Sequence, residues 1–130
     1  MTLNHAEIAA LRRAIESRRA TLVAEIRGDV AKLEGDRFEQ LAGEVRDAGD
    51  ESIAELSADI DIADLRRDAA ELRALDAALA RLTGGQYGVC IDCTENIALE
   101  RLKAQPAAAR CVRCQGLFEK THAQPGHARL

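Results

Sequence analysis

Two short stretches hold all four cysteines of the chain: Cys90-Ile91-Asp92-Cys93 and, after seventeen intervening residues, Cys111-Val112-Arg113-Cys114. A C-x-x-C pair on a tight turn places both thiolates on one side of the backbone. Two such pairs supply the four sulfur ligands of a tetrahedral zinc ion, at a spacing typical of four-cysteine sites. Because sulfur fills every position, none stays open for water. The sequence therefore predicts a structural zinc ion and not a catalytic one.

Two other uses of the cysteines stay open at this point. Disulfides would require an oxidising compartment, and nothing at the N terminus resembles a signal peptide. A redox pair of the thioredoxin type would require a βαβ pattern beside one C-x-x-C, and the sequence shows no such pattern. Zinc is the interpretation that the pattern favours.

The composition favours long helices with narrow apolar stripes over a thick globular core. Only 2% of the 130 residues are aromatic, while Ala, Leu, Arg, Glu and Asp dominate. The net charge of −4 argues against sequence-independent nucleic-acid binding as the main activity. No apolar run approaches the length of about 18 residues that a membrane span needs. We therefore expect a cytoplasmic protein.

Residues 5–82 are predicted to form an antiparallel coiled-coil hairpin. The first helix runs from about residue 5 to about residue 45 and carries one apolar stripe, which includes Leu11, Ile15 and Leu22. The stripe fails at residues 46–51, and Ser52 with Glu55 forms a capping box that begins the second helix. That helix stops at Gly84-Gly85. Two stripes joined by a short turn must cover each other, so we expect a hairpin with an acidic tip at residues 47–52.

A second module is expected at residues 83–122, a zinc finger with a C-terminal helix that begins among the second cysteine pair. The segment from Tyr87 to Pro106 is predicted to be a loop with local turns, because Pro106 cannot continue a helix. Residues 123–130 are expected to be a flexible tail. The predicted fold class is thus all-α, a long helical hairpin plus a small four-cysteine zinc module.

The finger resembles the DksA/TraR-type C4 zinc-finger family. The family pattern is, loosely, G-x-Y-G-x-C-x-x-C-G-x-x-I, then R-L-x-A-x-P, then C-x-x-C. Here Gly85 to Cys93, Ile97, Arg101 to Pro106 and Cys111 to Cys114 carry it. Asp47-Ala48-Gly49-Asp50-Glu51-Ser52 is similar to the D-x-x-D-x-A motif at the coiled-coil tip of the family. The resemblance covers most of the chain.

The resemblance implies a regulator that binds RNA polymerase directly. Its coiled-coil tip would enter the secondary channel and modulate transcription initiation, while the finger would dock on the channel rim. The implied cofactor is Zn²⁺, held by Cys90, Cys93, Cys111 and Cys114. The implied tip contacts are Asp47, Asp50 and Ser52. The candidate contacts to the rim or to a nucleotide are Arg67 and Arg101.

Three departures from the family pattern matter. Ser52 stands where the tip motif has Ala. Thr94 follows the second cysteine where the family has Gly, and a β-branched residue strains a turn that favours positive φ. Ala74 and Gln115 stand where lysines that help bind ppGpp would be expected, so the response to ppGpp stays open.

Two functions of other classes remain as alternatives. One is a zinc ribbon that binds nucleic acid through four bases: Arg101, Lys103, Arg110 and Arg113. The other is a helical adaptor whose hairpin docks on a different protein. An enzyme is not expected, because the sequence offers no nucleophile and base pair, no open metal position and no phosphate-binding glycine loop. We expect a monomer without sequence-specific DNA binding. Asp50 and Ser52 can also serve as helix caps.

Overall fold

Four α-helices follow one another along the chain: α1 (His5–Ala42), α2 (Glu51–Gly84), α3 (Leu99–Ala104) and α4 (Val112–Thr121). The computed structural model describes residues 3–42 and 51–122, and within them the side chains of residues 3–36 and 62–122. Across these ranges the β-structure is limited to one isolated antiparallel bridge, between Val89 and Asn96. The predicted all-α class is confirmed.

The N terminus of α1 is fixed by a reciprocal pair of hydrogen bonds. The Asn4 side-chain oxygen accepts from the Glu7 backbone N–H at 2.8 Å, and the Glu7 carboxylate accepts from the Asn4 N–H at 2.9 Å. This is a capping box, which satisfies N–H groups that the first turn leaves without helical partners. The helix therefore begins at His5, as predicted.

The predicted start of the second helix, directly after a Ser52 N-cap, is wrong by two residues. α2 already includes Glu51, so Ser52 lies inside its first turn and not at the N-cap. Glu51 itself is a good helix former. The acidic tip at 47–52 otherwise lies outside the described residues, as does the tail at 123–130.

α2 ends where the two glycines predicted it would. Gly85 has a φ of +77°, which a glycine adopts without steric cost. Its N–H donates to the Leu82 carbonyl, and the Gln86 N–H donates to the Arg81 carbonyl at 2.9 Å. These two bonds form a Schellman motif, which turns the chain sharply out of the helix.

The chain divides into two compact units, one of Met1–Glu16 with Ala74–Leu130 and one of Ser17–Arg73. The first unit holds most of the buried apolar side chains: Leu11, Ile15, Leu75, Ala78, Tyr87, Ile97 and Leu102. The stripe residues Leu11 and Ile15 are therefore buried as predicted, and Tyr87, Ile97 and Leu102 of the finger share their core. The predicted domain boundary between residues 82 and 83 stays a prediction.

Among the side chains of the second unit that the structure describes, Leu22 is fully buried, whereas Val30 and Ile62 are each 40% exposed. Arg18 and Glu71 connect α1 and α2 through two hydrogen bonds, from Nε at 2.7 Å and from Nη2 at 2.9 Å. This two-point geometry matches the fork of a guanidinium to a carboxylate.

The short helix α3 was not predicted, since its residues were expected to be a loop. It brings Leu102 into the core, where this side chain is fully buried. Pro106 follows the helix, in agreement with its predicted role as a helix breaker. In the part of the chain that the structure describes, no helix combines the length and apolar character that crossing a bilayer would require.

Candidate metal centre

The four cysteine sulfurs converge in the first unit, and all lie within 4.8 Å of one another. Cys90 and Cys114 are buried, Cys93 and Cys111 are half-buried, and none of them is in a disulfide. The sulfurs of Cys93 and Cys111 are 3.8 Å apart. A tetrahedron with Zn–S bonds of about 2.3 Å has sulfurs about 3.8 Å apart, so the four thiols fit a zinc ion.

The first cysteine pair sits in a small hairpin-like turn. The Val89–Asn96 bridge closes it, together with the Ile97 N–H bond to the Gly88 carbonyl at 2.8 Å. Gly88 has a φ of +86°, and a Cβ there would lie 3.1 Å from the Leu3 side chain. Glycine is therefore favoured at this position by its conformation, and a larger residue would also make a tight contact with Leu3.

Thr94 adopts a φ of +65° and is the one non-glycine residue with positive φ among those described. Its N–H donates to the Cys90 carbonyl at 3.0 Å, which closes the turn around the cysteine pair. The predicted strain of a β-branched residue at this position is confirmed.

The second cysteine pair is built on the N terminus of α4. Cys111 is the N-cap, and its sulfur accepts a hydrogen bond from the Cys114 N–H at 3.5 Å. This bond lowers the pKa of the Cys111 thiol. A helix N terminus favours negative charge, so the fold itself prepares a thiolate ligand.

The remaining electrostatics show why the cluster needs a cation. Burial raises the pKa of Cys90, but hydrogen bonds from the backbone of Cys93, Cys111 and Asp92 outweigh this effect and lower the pKa to about 6. Burial and the neighbouring sulfurs raise the pKa of Cys114 to about 12. Mutual repulsion disfavours four thiolates at such short distances, and a bound metal ion would compensate their charge.

Arg113 is a second positive charge at this site. The neighbouring Cys93 and Cys114 side chains raise the pKa of Arg113 above its ordinary value. A positive charge near the cluster would offset part of the negative charge of a zinc ion with four thiolates.

The segment that leads into the second cysteine pair, residues 106–110, is held by its carbonyl groups; we call it the strap. Four donors from separate parts of the first unit reach it: Tyr87 Oη to Pro106 (2.7 Å), Arg81 Nη2 to Ala107 (3.5 Å), Ile91 N–H to Ala109 (3.0 Å) and Arg101 Nε to Arg110 (2.9 Å). These bonds anchor a stretch without helix hydrogen bonds of its own. The strap thus fixes where Cys111 begins.

The other predicted site residues lie in different places. Arg67 is on α2, with 76% of its side chain exposed, and it pairs with Asp64 one turn earlier. Arg101 lies in the first unit and donates to the strap. The tip residues Asp47 and Asp50 fall outside the described residues, and of Ser52 only the backbone is described. The cysteines are brought together; the tip and Arg67 stay predictions.

Sequence reasoning missed the roles of Tyr87 and Asp92. Tyr87 was expected only as an apolar residue, yet its hydroxyl holds the strap. Asp92 binds the Arg110 side chain at 2.7 Å. The available signal was the opposite charge of Asp92, in the middle of the first cysteine pair, and of Arg110, directly before the second pair.

Comparison with known proteins agrees with this geometry. The family model of the prokaryotic dksA/traR C4-type zinc finger matches residues 85–120. The RNA polymerase-binding transcription factor DksA of Escherichia coli (strain K12) is 25% identical over 117 residues, which are 90% of this chain and 74% of that protein. The protein of the same name from Haemophilus influenzae is 29% identical over 73 residues, 56% of this chain and 50% of that protein.

Two solved structures are similar in fold. Transcription factor DksA2 from Pseudomonas aeruginosa superposes with a TM-score of 0.76 at 27% identity, covering 93% of this chain and 89% of that one. The RNA polymerase binding protein and transcriptional regulator Dks from Chlamydia trachomatis gives a TM-score of 0.57 at 22% identity, covering 95% and 99%. The similarity to DksA2 extends to both sequence and fold, whereas the similarity to Dks shows the fold alone. The predicted zinc finger and its cofactor are confirmed.

Proposed function

We propose that this chain, which carries the DksA/TraR-type C4 zinc finger, is a regulator of transcription initiation that binds RNA polymerase directly. The observation that carries the proposal is the joint match of both helices and the finger. DksA is similar over 90% of the chain, and the fold of DksA2 covers 93% of it. If the chain shared only its zinc finger with this family, we would expect the similarity to be confined to residues 85–120.

We further propose that the connection between α1 and α2 inserts into the secondary channel of the polymerase. Asp47 and Asp50 lie in sequence between Ala42 and Glu51, and they bring two carboxylates to this connection. The catalytic centre of a polymerase is rich in bases and in metal-bound phosphates, so an acidic segment is attracted there. These contacts would shift the stability of the initiation complex; they would not catalyse a reaction.

The finger would remain at the rim of the channel. Two of its bases are engaged internally, since Arg101 donates to the strap and Arg110 pairs with Asp92. Lys103 keeps 60% of its side chain exposed beside Glu100 at 3.7 Å. This arrangement weakens the nucleic-acid alternative, which needs those bases for phosphates. It leaves shape as the main basis for docking.

The nucleotide response follows from the same residues. Arg67 offers an exposed guanidinium on α2, whereas Ala74 carries no charge and Gln115 donates to the Glu119 carboxylate at 3.0 Å. A site with one base where the family uses several binds a highly charged nucleotide weakly. We propose that ppGpp has a small effect, and that the protein acts as a cytoplasmic monomer.

Direct binding of the zinc-loaded chain to core RNA polymerase, with DksA as competitor, tests the proposal. We expect saturable binding that DksA displaces. Asp47→Asn and Asp50→Asn should retain binding through the finger but lose the effect on initiation. Asn keeps the capping ability of Asp, so the change isolates the charge. Glu34→Gln is the matched control, because it removes one exposed charge from α1.

The outcomes separate the candidate functions. Absence of polymerase binding by the folded, zinc-loaded protein would overturn the proposal and favour the adaptor. Binding to DNA with a steep salt dependence and none to polymerase would favour the nucleic-acid module. If both Asn variants bind polymerase and regulate initiation fully, the proposed role of the tip charge is wrong, while polymerase binding itself still stands.

A further inference from the structure

Arg110 lies directly before Cys111, the first residue of the second cysteine pair. Its Nε donates to Asp92 Oδ2 at 2.7 Å, and Asp92 lies between the two cysteines of the first pair. Only 20% of the Arg110 side chain is exposed, against 46% for Asp92. This ion pair therefore connects the two halves of the metal centre across the loop that separates them.

The same guanidinium also contacts α4. Its central carbon lies 4.0 Å from the centre of the Phe118 ring, a cation–π distance. Phe118 is one helical turn after Cys114, so the contact sets the orientation of the helix that carries the last ligand. The backbone of Arg110 is held as well, because its carbonyl accepts from Arg101 Nε at 2.9 Å.

Each cysteine pair orients its own two sulfurs through its turn or helix. The distance between the pairs is not set by those local bonds, since seventeen residues separate them. The contacts that link the neighbourhoods of the pairs include the Arg110–Asp92 ion pair, the Ile91 N–H bond to the Ala109 carbonyl at 3.0 Å and the approach of the Cys93 and Cys111 sulfurs to 3.8 Å. Among these three, the ion pair is the one formed by side chains other than the ligands.

We infer that Arg110 is a positioning residue for the zinc ion, which acts through Asp92 to hold the two cysteine pairs at metal-binding distance. The energetic reason is preorganisation. An isolated ion pair with this exposure adds little to the free energy of unfolding. Here it reduces the loop entropy that zinc binding must otherwise overcome, and groups outside the ligand shell typically change metal affinity about 10–100-fold.

The test measures the Zn²⁺ dissociation constant of the full chain by competition with a chromophoric chelator. The pH is held fixed, because thiol ligands release protons on binding. We expect Asp92→Asn and Arg110→Gln each to weaken zinc affinity by about tenfold. The double variant should be no weaker than the weaker single one, because both changes break the same contact. Lys103→Gln, which removes a base with a long and exposed ion pair, is the matched control and should stay within about twofold.

A general loss of finger stability must be distinguished from a positioning role. Arg110→Lys keeps a charge opposite Asp92, so it should recover part of the affinity that Arg110→Gln loses. In an Asp92→Asn background, the Arg110→Lys and Arg110→Gln variants should bind zinc with equal affinity. The Co²⁺-substituted variants should keep the absorption bands of a tetrahedral four-thiolate site, which shows that coordination is complete.

Three results would overturn the inference. The first is wild-type zinc affinity in both Asp92→Asn and Arg110→Gln. The second is full additivity of the two changes, which would mean that they act independently. The third is an advantage of Lys over Gln that persists without the Asp92 charge, since this would place the effect in packing on Phe118. None of these measurements involves RNA polymerase, so their outcome is separate from that of the polymerase-binding experiment.

Discussion

The hydroxyl of Tyr87 is expected to stay protonated at high pH for as long as zinc holds the finger together. Burial raises its pKa from 10.0 to about 12, although the positive charge of Arg81 acts in the opposite direction. The side chain is 9% exposed, and its hydroxyl donates to the Pro106 carbonyl at 2.7 Å. A phenolate could not donate this bond and would have to be desolvated.

The magnitude can be worked out at pH 11, halfway between the two pKa values. A phenol with a pKa near 12 is about 9% ionised at that pH, and one with a pKa near 10 is about 91% ionised. Because the folded pKa is the higher one, the protonated group contributes stability below pH 10 that is lost between pH 10 and about 12. The full contribution is about 3 kcal/mol.

The assay is the near-ultraviolet absorbance of the phenolate, which reports a single residue because the chain has one Tyr and no Trp. We expect little phenolate in the zinc-loaded protein, nearly complete ionisation in urea, and an increase toward the urea value after chelation. Arg81→Gln should lower the phenolate fraction further, since the guanidinium favours ionisation. Tyr87→Phe provides the baseline. A zinc-loaded protein that is mostly ionised at pH 11 would refute the burial of Tyr87 and its bond to the strap.

Three further predictions rest on separate features. Thr94→Gly should stabilise the zinc-loaded protein by about 0.5–1 kcal/mol in denaturant unfolding, since relief of a strain of about 1–2 kcal/mol exceeds the entropy cost of Gly; an unchanged or lower midpoint would contradict this. Chelation should remove at most about a quarter of the far-ultraviolet helix signal, because α3, α4 and the last turn of α2 contain six, ten and about four residues, against 38 and 34 in the whole of α1 and α2; a larger loss would show that the long helices depend on zinc beyond that turn. The hydrogen bond from Arg18 lowers the pKa of Glu71, so its stabilising contribution is present above pH 4.5 and is lost as the pH falls through the lowered value; Glu71→Gln should remove this acid dependence, and equal acid sensitivity of both proteins would argue against the pair.

The elements that the sequence predicted best are those fixed by local rules. The stripe residues Leu11, Ile15 and Leu22 recur at helical spacing, and burial follows because only one face can be covered. Gly85 ends α2 because its neighbours leave carbonyl groups that only a left-handed residue can satisfy. The zinc ligands were equally predictable, since two C-x-x-C pairs at this spacing are typical of a structural zinc site.

The unpredicted features depend on contacts between distant parts of the chain. α3 has six residues, too few for a periodic pattern to distinguish it from a loop, and it forms because Leu102 is buried by the core. Ala78 is fully buried although Ala carries little hydrophobic signal. Its small side chain is compatible with close packing. The start of α2 was missed because several residues near position 51 are acceptable both as caps and as first-turn residues.

The strap explains why a metal ion matters to a mostly helical protein. Arg81 lies in the last turn of α2, yet it donates to the Ala107 carbonyl, and Tyr87 just beyond that turn holds Pro106. The other end of the strap is Arg110, whose side chain binds the first cysteine pair through Asp92. Loss of zinc would remove the ion that holds the two cysteine pairs together, and the contacts between the strap and the first pair would then be weakened. Because Arg81 and Tyr87 depend on the strap for their partners, the effect would reach the end of α2 within the same compact unit. Zinc occupancy and the conformation of the C-terminal turn of α2 are therefore expected to change together.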